Sequence, residues 1–111
     1  MTRSRKLAID QYKMRLPERG VYALRCVASG RVWVGASPNL GAARNSTWFL
    51  LRNGDHRDRG LQAEWRTHGE DGFQFDVLEM LDADLAQVLV PDVLKEKRRD
   101  WARRLDAGVL L

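Results

Sequence analysis

"GVYALRCVASGRVWVG", residues 20–35, decides how the rest of the chain is read. Two short apolar runs, residues 20–27 and 31–35, are rich in Val, Tyr and Trp, the β-branched and aromatic types that suit a pleated surface. Between them Ser29-Gly30 supplies a tight turn, because glycine tolerates positive φ. The pattern predicts an antiparallel hairpin. Its two ends carry matched signatures, Gly20-Val21-Tyr22 and Trp33-Val34-Gly35, and each joins an aromatic ring to a glycine.

Outward from the hairpin, the periodicity supplies the flanking elements. Residues 4–15 predict a helix with Leu7, Ala8 and Tyr12 on its inner face, ended by Pro17. Downstream, "NLGAARNSTWFLLRNG" predicts a helix over 39–53, with Asn39 as cap and Gly54 as the left-handed terminator. "RDRGLQAEWRTHG" predicts a second, capped by Asp58, with Leu61 and Trp65 sharing a face at i and i+4 and His68 in the terminal turn. "FQFDVLEML", residues 73–81, alternates as a strand does. Residues 92–106 predict a basic helix with Leu94, Trp101 and Leu105 on one stripe and Trp48 and Phe49, mid-helix earlier in the chain, are expected in the core. The order predicts one α+β domain over 1–111: lead-in 1–19, signature hairpin 20–35, and helices around a three-stranded antiparallel sheet.

Composition narrows the function classes. At 111 residues the chain holds one modest core. Its single cysteine, Cys26, excludes a disulfide framework and a cysteine-based zinc site, reads as a buried structural thiol, and fits a reducing, cytoplasmic setting. Nothing reaches membrane-spanning length. Net charge is +4, and 15 of the 19 basic residues are Arg, whose planar fork suits phosphate; a polyanionic partner and a compositional bias of the source genome account for this equally well. Lys95, Arg98, Arg99 and Arg103 on the last helix are the expected nucleic-acid contacts, against the plainer reading of a solvated helix face. No phosphate-binding glycine loop, Ser/His/Asp order or Cys/His zinc spacing occurs.

Three landmarks in order, Gly20-Val21-Tyr22, Trp33-Val34-Gly35 and "LRNGDHRDRGLQAEWRTHGEDGFQFDVLE" (residues 51–79), resemble the GIY-YIG nuclease family. The resemblance implies hydrolysis of a DNA phosphodiester by an activated water, with Mg²⁺ or Mn²⁺, in settings such as DNA repair, and DNA rather than RNA as partner. It places Tyr22 and His56 at the scissile phosphate, with Trp33 where the family has its second tyrosine. Arg44 is the nearest candidate for the family's arginine, one residue beyond the expected position, which is Ala43. The metal-binding glutamate expected three residues before Trp101 falls on Arg98, leaving Glu96 as the candidate ligand, about 200° around the helix. Glu79 is expected to be structural. Two function classes therefore stay open: a GIY-YIG-type endonuclease, or a catalytically degenerate domain that binds nucleic acid or a protein.

Overall fold

The structure, a computed structural model, describes residues 17–110. The helix expected over 4–15 lies outside the described residues. Three strands, β1 (Gly20–Cys26), β2 (Val32–Ser37) and β3 (Phe73–Met80), are joined by a two-residue fourth, β4 (Gly108–Val109). Their order is β3-β1-β2-β4, antiparallel except for the parallel β2/β4 pair. The sheet thus has four strands where three are expected. Two residues are too few to carry a period, and the pairing is imposed by the left-handed turn at Asp106 (φ 49°), which sends the chain back along β2.

Helices α1 (Leu40–Asn53) and α2 (Arg59–His68) cover one face of the sheet; α3 (Val90–Leu105) covers the other. The caps are those the sequence names: Asn39 Oδ1 accepts from Ala42 N, Asp58 Oδ1 accepts from Leu61 N, and Gly54 is left-handed at φ 77°. α3 starts two residues before the expected position, because Pro91 fits a first helical turn, where its missing N–H is not required. The first face buries Tyr22, Leu24, Cys26, Trp33, Leu51, Leu61, Trp65 and Phe73; the second buries Val21, Val34 and Ala102, with Leu78 and Trp101 packed alongside. Two expected core residues lie outside: Phe49 is 65% exposed because Thr47 and Leu51 carry the buried face of α1 and position 49 is about 200° around the helix from each, and Leu105 is 40% exposed as the last residue of α3.

The hairpin loop spans residues 27–30 rather than a two-residue turn. Cys26 N donates to Arg31 O, Gly30 N donates to Cys26 O, and Gly30 has φ 75°. A β-bulge in β3 sets the geometry of the opposite end. Val21 pairs with Glu79 while Tyr22 pairs with Val77, so one extra residue, Leu78, is accommodated there. The bulge breaks the alternation of Phe73, Phe75 and Val77 and turns Glu79 to the α3 side. There Glu79 Oε1 accepts from Trp101 Nε1 at 2.9 Å and Oε2 from Lys97 Nζ at 2.5 Å, which holds its carboxyl below the usual carboxylate range.

Candidate functional site

Both signature glycines are explained by close approach. Tyr22 pairs with Gly35, and a Cβ on Gly35 would collide with the Tyr22 ring at Cζ and Oη. The phenol therefore lies across the glycine, and Phe75 stacks on it with centroids 4.7 Å apart and planes 15° from parallel. A Cβ on Gly20 would meet the carbonyl oxygen of Glu79, so this glycine allows the bulge to close on β1. Gly35 thus seats the Tyr22 ring, and Gly20 lets β3 close on β1 beside it.

Tyr22 and His56 line one cavity of about 430 Å³, together with Thr47, Leu50, Arg57, Asp58, Val109 and Leu110. His56 sits in the α1–α2 connection, which Gln62 staples. Its buried side chain donates from Nε2 to Leu51 O and accepts the His56 backbone N–H at Oε1, both at 3.0 Å. His56 Nδ1 accepts from Asp58 N at 3.0 Å. With Nδ1 so occupied, the neutral ring carries its proton on Nε2 and is a hydrogen-bond donor. Burial pushes His56 below its ordinary 6.5, partly opposed by the Asp58 carboxylate, so the neutral donor form prevails at neutral pH. Burial also pushes the Tyr22 phenol up, opposed by the Thr47 hydroxyl and the Arg98 guanidinium. Tyr22 is likewise a donor at neutral pH.

The remaining expected residues are not gathered there. Trp33 is 3% exposed and tilts against Phe73 in the core, with Arg31 stacked over its ring. Ala43, the arginine position implied by the resemblance, packs against the core, while Arg44 is exposed with its guanidinium 6.0 Å from the Phe75 centroid. Glu96 is exposed on α3 and lines none of the cavities described. The basic charges of α3 divide among several roles. Lys97 holds Glu79, Arg104 covers Trp101, and Lys95, Arg99 and Arg103 form an exposed stripe at i, i+4 and i+8. Arg98 turns toward the sheet edge, where Nη1 donates to Leu110 O at 3.1 Å.

Sequence reasoning missed the C-terminal wall and the rim. Leu110 is 7% exposed, joins the Tyr22 cluster and donates its N–H to Val34 O, so the tail closes one side of the cavity. Arg57, Arg59 and Arg66 line an adjoining depression that also contains His56. The signal for the rim was present in "HRDR", residues 56–59, but a charge run does not say which way its side chains face.

A chain of this shape already has counterparts. The catalytic domain of the homing endonuclease I-TevI superposes with a TM-score of 0.70 at 21% identity, over 84% of this chain and 98% of that one. A mutant of that intron endonuclease domain gives 0.69 at 21% identity, over 80% and 84%. The fold is that of a GIY-YIG catalytic domain. No protein-family model and no curated protein matches the sequence.

GIY-YIG chemistry calls for a carboxylate to hold a divalent cation, and the donors around Tyr22 and His56 can be weighed for that. Among the described residues that line the cavity, Asp58 supplies the one carboxylate, and its Oδ1 is committed to capping α2. Arg57 shares the wall, Arg98 lies close enough to influence Tyr22, and both rings present protons. A hard dication wants several oxygen ligands free of competing positive charge. The set does not fit one.

Proposed function

We propose that this GIY-YIG domain binds nucleic acid through a backbone phosphate received at the Tyr22–His56 cavity. The observation that supports it is the convergence of proton donors and cations there: Tyr22, His56 and Arg57 line one cavity, with Arg98 beside it and Arg59 and Arg66 on the adjoining rim. With His56 Nδ1 held by the Asp58 N–H, the imidazole is positioned to donate from Nε2 to a phosphate oxygen, and guanidinium groups pair with phosphate bidentately. The exposed stripe of Lys95, Arg99 and Arg103 on α3 adds positive charge that attracts a polyanion. DNA is the expected polymer, given the fold's likeness to a homing endonuclease domain.

Fluorescence anisotropy with duplex, single-stranded and branched DNA, alongside RNA of matched sequence, tests the reading. Binding should weaken steeply as salt rises, and Arg57→Ala should reduce affinity by about tenfold, the loss of one charged phosphate contact. Salt-insensitive binding, or none, would remove the reading. The same samples with Mg²⁺ or Mn²⁺ decide the hydrolytic alternative. Nicking that Tyr22→Phe and His56→Ala each abolish would replace binding alone with endonuclease activity; equal nicking by all three proteins would indicate a contaminant.

A further inference from the structure

At the other end of β1, four residues or about 13 Å along the strand from Tyr22, three side chains of different chemistry meet. Cys26 Sγ lies 3.7 Å from Glu64 Oε2, and His68 Nε2 lies 3.2 Å from the same oxygen; all three ligand atoms fall within 4.8 Å of one another. Glu64 and His68 stand at i and i+4 on α2, so both project from one face toward the end of β1. Zinc takes sulfur at about 2.3 Å and nitrogen or oxygen at about 2.0–2.2 Å. Tetrahedral angles then place neighbouring ligand atoms about 3.3–3.6 Å apart. The 3.7 Å and 3.2 Å separations, a hydrogen bond and an ion-pair contact through the shared Glu64 Oε2, are close to those edges.

We propose that Cys26, Glu64 and His68 form a binding site for a borderline-soft divalent cation of the zinc class, with a fourth position open to water. The surroundings match the requirements of such a site. Arg31 Nη1 holds Glu64 Oε1 at 3.3 Å, which leaves Oε2 turned to Cys26 and His68. Gly72 passes so close to His68 that a Cβ there would stand 2.9 Å from His68 Cβ, which confines the imidazole from behind. Cys26 is fully buried, whereas the side chains of Glu64 and His68 are 18% and 28% exposed, so the open position faces solvent. On binding, the Cys26 thiol gives up its proton to solvent and the metal–sulfur bond forms. Thiolate, carboxylate and neutral imidazole then balance the dication, with no change of oxidation state. One cysteine is enough here because the other two ligands are drawn from α2, a combination that no local cysteine spacing reveals.

The test uses the tag-free, chelator-treated full chain. Titration with Zn²⁺ against a chromophoric chelator should give one equivalent bound, and Co²⁺ in its place should produce the near-ultraviolet thiolate-to-cobalt absorption. His68→Gln, at a partly exposed position, should weaken binding at least tenfold, and Cys26→Ser should remove the sulfur band. Zn²⁺ at about a hundredfold excess over Kd should raise the unfolding midpoint by about 5 °C or more in the wild type, and little in His68→Gln. Absence of the sulfur band in the wild type would overturn the proposal, as would one-equivalent Zn²⁺ binding of unchanged affinity in His68→Gln. Neither result depends on nucleic-acid binding at the Tyr22 cavity.

Discussion

At the scale of single residues, Gly35 and Tyr22 act as one unit, since the phenol occupies the space a side chain at 35 would need. Gly35→Ala should therefore destabilise the fold by about 1–3 kcal/mol, the cost of overpacking, in urea unfolding. It should also weaken the Tyr22–Phe75 stack, read by near-ultraviolet circular dichroism. His56 makes a pH prediction. Burial holds its folded-state value below 6.5, so as pH falls the unfolded chain takes up the proton first. The stability linked to neutral His56 is thus fully present above about pH 6.5 and is lost as pH falls through the lower folded value. His56→Asn keeps an acceptor for the Asp58 N–H but cannot titrate. Its urea midpoint should decline less than the wild type's between pH 6.5 and 5, and an unchanged slope would show that another group carries the titration.

Elements explain why some of this was legible in sequence and some was not. Caps are local: Asn39, Gly54 and Asp58 each act within four residues of themselves, and the sequence places all three correctly. The GIY-YIG spacing was legible because the glycines answer steric demands at fixed strand positions, Gly20 against the Glu79 carbonyl and Gly35 against the Tyr22 ring. Glu79 shows the limit. Strict alternation would put it on the Tyr22 face, and only the bulge, a property of two strands together, turns it toward Trp101 and Lys97. Trp33 matches a catalytic position in the pattern but is enclosed by core rings, because an indole has more apolar surface to bury than hydrogen bonds to offer. Gln62 is the least visible of all, a polar residue that joins two helices through Leu51 O and His56 N. Gln62→Leu leaves the His56 N–H without its acceptor and leaves Leu51 O with the Gly54 N–H alone, and should cost about 2 kcal/mol. Faster amide exchange at His56 than the global loss of stability accounts for would locate the damage in the α1–α2 connection; uniform acceleration would count against the staple.

Across the whole molecule, the two faces of the sheet divide the labour: α1 and the α1–α2 connection shape the cavity, α3 anchors the bulge, and the chain after α3 returns to the first face. Leu110 is where these parts meet. It packs in the Tyr22 cluster, its N–H bonds Val34 O, and its carbonyl accepts from Arg98 Nη1, so on the proposed reading one donor of the guanidinium beside the cavity is occupied by the tail. Stability and ligand access therefore oppose each other at this residue. Leu110→Ala removes buried apolar volume and should destabilise by about 2 kcal/mol, the low end for such truncations because the site borders a cavity. The same substitution widens the Tyr22 cavity and loosens the segment that engages Arg98, so DNA affinity should rise by about threefold as the open arrangement gains population. Urea unfolding and anisotropy on one preparation measure both. A variant that loses stability without gaining affinity would mean that the tail is only part of the core. A gain that disappears when Arg98→Ala is added would identify the released guanidinium as the group that meets the phosphate.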